Sequence, residues 1–348
     1  MKKNYIVFCV VFFAFLLGLG VWTAASEQSP FSDQENRQLK TSSGISGDVM
    51  SGEFQSDLED MLSDQFPLRY LCVALQTRLK LAVGRQDVGG AYIAGDRLIQ
   101  RITENEVSYE DIASHAARYA RAGERAGVPV TAMPIPSAEI TLSDLLPYGA
   151  ETYDYERAAG AVAAGIKDAT ILPAAVIDYY RTDHHWTASG AYAAYAAFCA
   201  SHGIEEIPYA DFEVTEIARD FYGSLWSKAP GAPVEPDVIY APDLPDGVTV
   251  TADGKAISFY DADAVKGKDK YRVFQGGNHG VTVIENPGAD GTLLIVKDSF
   301  VNSLVPYLIR HYGRIVMIDE RYAIVDIAQT AIGYEADEIA VIKEAASF

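Results

Sequence analysis

The chain has 348 residues, of which 49% are hydrophobic, and it carries a formal net charge of −20 at pH 7. The length fits one or two domains, and the hydrophobic fraction excludes a mostly disordered or fibrous chain. Because phosphate backbones repel so acidic a protein, the composition argues against nucleic acid as a partner.

An apolar segment opens the chain. Two lysines precede an uncharged run from Tyr5 to Ala25, and about 20 apolar residues cross a bilayer as one helix. Basic residues before the run and acidic residues after it orient the N-terminus inside. We expect residues 1–25 to be a retained membrane anchor. Thr23-Ala24-Ala25 also fits a signal-peptide cleavage site, and either alternative puts the rest of the chain outside the cytoplasm.

Regular elements follow the apolar segment. Residues 26–45 are rich in Ser, Gln, Asp and Gly and predict a linker. Hydrophobic periodicity then predicts, in chain order, two helices over 47–83 that separate at Pro67, a β-hairpin over 91–99, a helix over 106–125, a buried strand over 128–135, and helices over 152–166 and 187–202. Cys72 and Cys199 lie in apolar helical contexts, which predicts two buried thiols without a disulfide.

The pattern changes over residues 205–290, where Pro, Gly and short β-like runs predict a β-rich insertion. A strand–helix alternation then returns, with strands over 292–296, 314–318 and 338–342 and helices over 300–311 and 320–331. Alternating elements with almost continuously apolar strands indicate an α/β fold, a parallel sheet with helices on both faces. We expect this fold to form one domain over residues 46–348.

Two motifs could carry chemistry. Ser299 follows an apolar strand and precedes a helix, a position where backbone N–H groups are free to stabilise an oxyanion; the simpler interpretation is a helix cap. Asp183 and His185 are two residues apart, so in an extended segment both side chains can face the same way. A carboxylate beside an imidazole suits a general base, whereas the alternative is a histidine pair, His184 and His185, packed under the next helix. With both motifs in one chain, we favour catalysis.

Asp183-His184-His185-Trp186-Thr187 followed by Gly190-Ala-Tyr resembles the signature of the DHHW protein family, which is similar to the SGNH-like proteins of alginate O-acetylation in the cell envelope. The resemblance covers nearly the whole chain from about residue 31. Weaker matching motifs are Glu35–Leu39, Asp64–Arg69, Pro136–Glu139, Phe221–Leu225, Gly276–His279, Asp298-Ser299 and Asp319–Tyr322. The resemblance implies a circularly permuted SGNH hydrolase with Ser299 as nucleophile, His185 as general base and Asp183 as the residue that orients it.

The oxyanion-binding residues are less clear from the sequence. The Gly-x-Asn-Asp element usual in that superfamily is absent after the last strand, where this chain has Lys343-Glu344. Asn278 and Asn302 are candidate replacements, and the backbone N–H groups of Ser299 and Phe300 are further candidate donors. Arg321 and His184 are candidates for binding substrate or the oxyanion. We expect neither a cofactor nor a metal.

Three functions compete at this stage. The first is acyl transfer to a cell-envelope or secreted polysaccharide, as an O-acetyltransferase or, where water is the acceptor, an acetylesterase; the resemblance implies a membrane-bound acyltransferase as acetyl supplier. The second is a metal-dependent phosphoesterase that uses the Asp-His-His motif with Asp298 and Asp319. The third is a non-catalytic scaffold protein of an envelope polysaccharide assembly.

Overall fold

The computed structural model describes residues 2–348 except 33, 34, 36 and 173–176, and of residues 2–4 only the backbone. The Cα positions form two compact units. One comprises Met1–Arg85 with Ala229–Ala232, and the other comprises Gln86–Lys228 with Pro233–Phe348. Part of the predicted linker, at residues 33, 34 and 36, lies outside the described residues. The predicted domain and linker boundaries stay predictions.

The first unit is mainly helical. Its elements are α1 (Lys2–Ala25), β1 (Phe31–Ser32), β2 (Arg37–Gln38), α2 (Glu53–Asp64) and α3 (Arg69–Ala82). Within the described residues, only α1 contains a stretch, Tyr5–Ala25, that is long and apolar enough to cross a membrane. The two predicted helices do separate around Pro67.

Ion pairs join distant parts of this unit. Arg69 Nε lies 2.6 Å from Glu35 Oε1, and Arg37 Nη2 lies 2.5 Å from Asp64 Oδ1. Two of the motifs that resemble the DHHW family therefore meet here. The prediction of two buried thiols is wrong for Cys72, which is exposed, whereas Cys199 is buried. The reason is that the leucines of the same α3 face are exposed as well, so the helix does not bury its apolar stripe.

The second unit contains the remaining elements. Its strands are β3 (Asp87–Val88), β4 (Ala91–Ala94), β5 (Arg97–Gln100), β6 (Val130–Ile135), β7 (Asp168–Ala169), β8 (Val214–Phe221), β9 (Asp237–Pro242), β10 (Thr249–Ala252), β11 (Lys255–Ile257), β12 (Val281–Glu285), β13 (Thr292–Lys297), β14 (Arg314–Ile318) and β15 (Glu338–Glu344). Its helices are α4 (Tyr109–Ala126), α5 (Ala138–Thr141), α6 (Tyr155–Gly165), α7 (Ala188–His202), α8 (Ser224–Lys228), α9 (Val301–Leu308) and α10 (Ile327–Gly333).

An eight-stranded sheet runs through this unit in the order β11-β10-β12-β14-β13-β15-β6-β7. The five strands from β14 to β7 are parallel, whereas β12, β10 and β11 extend the sheet antiparallel. The predicted α/β class with a large, mainly parallel central sheet is therefore confirmed. Counted from β13, the parallel strands lie in the order 2-1-3-4-5 of a doubly wound fold. The circular permutation stays a prediction.

Helices cover both faces of the parallel strands, as the apolar strand sequences require. Leu293 and Ile295 of β13 belong to the hydrophobic cluster that includes α7 and α9. Leu294 and Val296, which point the other way, belong to the cluster that includes α4, α6 and α10. The strand is therefore buried along its whole length, and its carboxyl end is held firmly at one edge of the sheet.

Two predicted elements differ in detail. The β-rich segment over 205–290 is split, because β8 pairs only with β9 in a separate ribbon while β10 to β12 join the main sheet; whether the segment is an insertion stays a prediction. The helix predicted over 320–331 begins only at Ile327. Asp326 caps it by accepting hydrogen bonds from the N–H groups of Ala328 and Gln329.

We expect Gly190→Ala to destabilise the second unit, because a Cβ at this position would overlap the carbonyl oxygen of Asp178 and crowd Trp186. Overpacking of this kind costs about 1–3 kcal/mol of unfolding free energy, measurable by chemical denaturation. Gly160→Ala is the matched control, since its Cβ would meet nothing within 4 Å inside α6. Helix propensity predicts no loss there and a gain of up to about 1 kcal/mol. Equal effects of the two substitutions would contradict the prediction.

Candidate active site

Ser299 lies in a tight turn between β13 and α9. The carboxylate of Asp298 shapes this turn, because it accepts hydrogen bonds from Phe300 N–H at 3.0 Å and Glu344 N–H at 2.6 Å. The second bond ties the serine turn to the end of the neighbouring strand β15. Since Phe300 N–H is already engaged, it is not the free oxyanion donor that the sequence predicted. Ser299 N–H, by contrast, has no partner among the described residues.

Asp183 and His185 lie in a short hairpin loop that precedes α7. Tyr179 and Trp186 form an isolated antiparallel bridge across the loop. Backbone bonds from Tyr180 N–H to His185 O (3.1 Å) and from Thr187 N–H to Asp178 O (2.9 Å) close it. Thr187 then caps α7. The segment 178–187, which we call the DHHW loop, therefore holds its acidic and basic side chains on a closed backbone frame.

The structure brings Ser299, His185 and Asp183 together. Ser299 Oγ lies 2.7 Å from His185 Nε2, and His185 Nδ1 lies 2.5 Å from Asp183 Oδ1. Both hydrogen bonds form when the neutral imidazole carries its proton on Nδ1, since Nε2 then accepts the serine proton. Asp183 and His185 are buried, and Ser299 is half-buried. The arrangement can activate a serine hydroxyl by base assistance.

The Asp183 carboxylate is ionised despite its burial. Burial alone would raise its pKa, but His185, His184 and the N–H of Ser224 outweigh that effect and hold the pKa well below its usual range. The Ser224 N–H donates to Asp183 Oδ2 at 2.6 Å, and the backbone N–H of His185 donates to Oδ1 at 3.0 Å. A fixed negative charge therefore faces the imidazole.

His184 is placed beside this pair but has a different environment. Its ring lies 3.9 Å from that of His185, and its Nδ1 lies 2.8 Å from Ser224 Oγ. Desolvation and the neighbouring His185 lower the pKa of His184 to about 3. His184 is therefore neutral at pH 7 and is held through Ser224 rather than through Ser299.

The ring of Tyr271 packs against the imidazole of His185. Its ring stacks on His185 with centroids 3.8 Å apart and an interplanar angle of 7°. Its hydroxyl donates to Ser299 O at 3.2 Å and contacts Ser303 Oγ at 3.0 Å, and Ser303 also accepts from Trp186 Nε1. One aromatic side chain thus contacts both the base and the serine backbone.

A buried polar cluster lies on the other side of the serine turn. Lys297 Nζ donates to Asn302 Oδ1 at 2.7 Å and Asn278 Oδ1 at 3.2 Å, and it lies 3.5 Å from Asp319 Oδ2. Burial lowers the pKa of Lys297 to about 8, although Asp319 opposes the shift. Arg321 makes a two-point ion pair with Asp319, with its Nε at 2.8 Å and its Nη2 at 2.6 Å.

The two candidate asparagines differ within this cluster. Asn302 Nδ2 donates to Asn278 Oδ1 at 3.0 Å, so both ends of the Asn302 amide are engaged. The oxygen of Asn278 accepts two bonds, which turns its Nδ2 away from both donors. That Nδ2 group has no hydrogen-bond partner in the described part of the chain. Asn278 is therefore the asparagine with a free donor.

His279, the other histidine near this cluster, points elsewhere. Its Nδ1 lies 3.2 Å from Asp253 Oδ2, and its Nε2 lies 2.8 Å from Gln275 O. Both ring nitrogens are thus bound away from the serine turn.

The potential metal ligands are also already engaged. Over residues 2–32, 35, 37–172 and 177–348, the group of three side chains spaced to hold a metal ion is Asp183, His184 and His185. The ring nitrogens of His185 bond to Asp183 and Ser299, and His184 Nδ1 bonds to Ser224. Asp298 and Asp319 bind backbone N–H groups and cations instead.

Sequence reasoning missed Tyr271 and Ser224 as residues of the site. Ser224 lies in the motif Phe221–Leu225, so that motif was the available signal. Tyr271 lies 86 positions after His185 in a segment without regular periodicity, and nothing in the local sequence marks it.

Comparisons with known proteins show what this chain is similar to. Residues 174–318 match the family model described as DHHW protein. Among solved structures, a DHHW family protein from Eubacterium siraeum DSM 15702 is 22% identical, with a TM-score of 0.61 over 74% of this chain and 92% of that chain. Bacillus cereus PatB1 is 21% identical, with a TM-score of 0.60 over 73% of this chain and 95% of that chain.

A second PatB1 structure, which carries a sulfonyl adduct, gives 19% identity and a TM-score of 0.60, over 73% of this chain and 94% of that chain. A comparison with curated protein sequences finds no match. The resemblance to the DHHW family is confirmed by these findings. At such identities the structural likeness shows a shared fold.

We expect Gly223→Ala to impair the site, because a Cβ there would overlap the carboxylate and the Cβ of Asp183. Displacing Asp183 would leave His185 without its partner, so phenylmethylsulfonyl fluoride should label Ser299 at least about tenfold more slowly. The labelling rate can be followed by mass spectrometry of intact protein. Gly333→Ala is the control, since its Cβ would meet nothing within 4 Å. An unchanged rate in Gly223→Ala would contradict the role given to Gly223.

Proposed function

We propose that the protein is an extracytoplasmic enzyme that transfers acetyl groups through Ser299 to hydroxyl groups of a cell-envelope or secreted polysaccharide. The observation that carries the proposal is the hydrogen-bonded series Ser299–His185–Asp183, with distances of 2.7 and 2.5 Å. Such a series serves nucleophilic acyl transfer on unrelated folds. The similarity of the DHHW family to proteins of polysaccharide O-acetylation supports the substrate class.

The proposed reaction has two halves. His185 Nε2 takes the proton of Ser299 as Oγ attacks the acetyl carbonyl, and the tetrahedral intermediate expels the donor's leaving oxygen, which receives that proton from His185. The products of this half are acetyl-Ser299 and the acetyl donor without its acetyl group. A sugar hydroxyl then loses its proton to Nε2 and attacks the acetyl carbon, and the returning proton restores Ser299. Asp183 holds the imidazole on the correct tautomer and stabilises its cation throughout.

Donors without a partner near the serine turn are candidates for stabilising the developing oxyanion. We assign this role to Ser299 N–H and Asn278 Nδ2, because neither has a partner in the described structure. Lys297 fixes the Asn278 amide through its oxygen and adds positive charge nearby. Arg321 is bound to Asp319 and Asn302 to Lys297 and Asn278, so we give these two residues supporting roles. Both donors act where charge appears in the transition state.

The N-terminal helix supports the proposed location. Tyr5–Ala25 can span a membrane by length and composition, and the lysines before it orient the catalytic unit outside the cytoplasm. We propose an uncleaved anchor, with cleavage and secretion as the alternative. One helix offers no route for acetyl groups across a membrane, so a membrane-bound acyltransferase is the proposed supplier of acetyl groups.

The alternatives differ in what Ser299 does. An acetylesterase would use the same acyl-enzyme with water as acceptor. A metal-dependent phosphoesterase would need Asp183, His184 and His185 as ligands. Both ring nitrogens of His185, Nδ1 of His184 and both carboxylate oxygens of Asp183 already form hydrogen bonds within the site. A scaffold protein would need none of these contacts. The engaged donor atoms therefore favour the serine mechanism.

Replacing the nucleophile tests the proposal. We expect wild-type protein to hydrolyse a chromogenic acetyl ester and to transfer acetyl to acceptor glycans, and Ser299→Ala to lose roughly 10⁴-fold or more of kcat. Ser347→Ala, an exposed serine near the C-terminus, should retain full activity.

Activity that is retained in Ser299→Ala but lost when metal ions are chelated would favour the phosphoesterase function. If neither wild type nor Ser299→Ala hydrolyses the ester or transfers acetyl, and polysaccharide acetylation is unchanged in a Ser299→Ala strain, the scaffold function would be favoured. Hydrolysis without transfer to any glycan would favour the esterase.

The oxyanion assignment makes a separate prediction. Asn278→Ala removes the free amide donor, so kcat for acetyl ester hydrolysis should fall by about 10²–10³-fold, with a smaller change in KM. His279→Gln is the neighbouring control, since its ring bonds to Asp253 and Gln275. It should keep near-normal kcat. A larger loss in His279→Gln than in Asn278→Ala would mean that the base and the oxyanion donor have been assigned wrongly.

A further inference from the structure

An open cavity of about 610 Å³ lies in the second unit, and its lining includes none of Ser299, His185 and Asp183. It is formed by both ends of the DHHW loop, by the start of α7 and by the ribbon of β8 and β9. Its volume is in the range of small-molecule binding sites. The proposed reaction does not use it.

Three tyrosines give the cavity an aromatic lining. Tyr209 and Tyr240 are 38% and 45% exposed, and Tyr180 is almost fully buried at 3%. All three line the cavity. No described residue forms a hydrogen bond with the Tyr180 hydroxyl, and burial keeps it protonated by raising its pKa well above the usual value. The Tyr180 hydroxyl, on a side chain that lines the cavity, is therefore available to a water or a ligand there.

Polar groups surround the aromatic rings. The Oδ2 atom of Asp178 accepts from Thr187 Oγ1 at 2.9 Å and lies 3.4 Å from Ser189 Oγ, while its Oδ1 has no described partner. Asp237 accepts three bonds from Arg181 and Thr182. Flat rings with one polar end, beside carboxylate and hydroxyl oxygens, match a ligand that presents apolar C–H faces and many hydroxyl groups.

The charge of the cavity lining favours uncharged sugars over anionic ones. Two carboxylates, Asp178 and Asp237, face the cavity with a single cation, Arg181, and Arg181 already lies 3.4 Å from Asp96. The lining is therefore negative, so a polyuronate or another anionic polymer would be repelled. An uncharged sugar avoids that repulsion and can donate its hydroxyl protons to the carboxylates.

We propose that this cavity, the tyrosine groove, binds a neutral oligosaccharide segment of the acceptor polymer. The proposal rests on the proposed function for the link to acetyl transfer, whereas the binding itself is independent of it. The DHHW loop connects the two places, since its ends line the groove and its turn carries Asp183 and His185. A polymer held in the groove would thus be anchored to the same loop that holds the general base.

The test is calorimetric titration of the full-length protein in detergent with cellotetraose and chitotetraose, and with a tetrauronate of equal length. We expect binding of at least one neutral tetrasaccharide, and at least tenfold weaker binding of the tetrauronate. The double variant Tyr209→Ala/Tyr240→Ala should weaken neutral binding at least tenfold, and Tyr180→Phe should weaken it through loss of the hydroxyl alone. Tyr148→Ala, a fully exposed tyrosine elsewhere in the second unit, should bind like wild type.

Acetyl ester hydrolysis by the same samples separates the two proposals. If hydrolysis is intact in wild type and double variant, but neutral sugars fail to bind or bind the double variant equally well, the groove assignment is overturned alone. If neutral sugars bind as expected but wild type hydrolyses no ester, the proposed function fails and the groove stands. Tighter binding of the tetrauronate than of the neutral sugars would also overturn the groove assignment.

Discussion

The Asp183 carboxylate is the constraint on which the site depends. Burying an ionised carboxylate is very costly unless hydrogen bonds compensate for it. Here two backbone N–H groups and the His185 ring provide them. Ser224 N–H can approach so closely only because residue 223 is a glycine, whose missing Cβ makes room for the carboxylate. The same carboxylate therefore sets the tautomer of His185 and the path of the chain around residue 223.

The sheet supplies the other half of the site. Parallel strands end at one edge, and in this sheet Lys297 of β13 lies in register with Ile342 of β15. Asp298 is thereby close enough to bind the Glu344 N–H. At the position where the Gly-x-Asn-Asp element was expected, the last residue of β15 contacts the serine turn through its backbone N–H. The free side-chain donor comes instead from Asn278, which a buried lysine orients.

Local sequence signals were sufficient for the elements with strong patterns. We could predict the parallel strands, the serine turn and the shared direction of the Asp183 and His185 side chains. Each of these features depends on residues that are close together in the chain. The exposure of Cys72 could not be predicted, because an apolar helical stripe does not reveal whether another element covers it. The stacking of Tyr271 on His185 is a contact between distant segments, and such contacts leave no periodicity. The bond from Phe300 N–H to the Asp298 side chain, by contrast, follows a local rule, since an Asp side chain commonly accepts from the N–H two residues further on.

The β-rich segment over 205–290 contributes several residues to the candidate site. The residues of the proposed triad lie on either side of it in the chain, at 183 and 185 before it and 299 after it. The groups that support them lie within it: Gly223 and Ser224 beside Asp183, Tyr271 under His185, and Asn278 beside Lys297. Its β8–β9 ribbon also forms one wall of the tyrosine groove. One segment thus contacts both halves of the proposed triad and forms part of the groove. A change in its packing would therefore alter the proposed base, the proposed oxyanion donor and the proposed acceptor groove together.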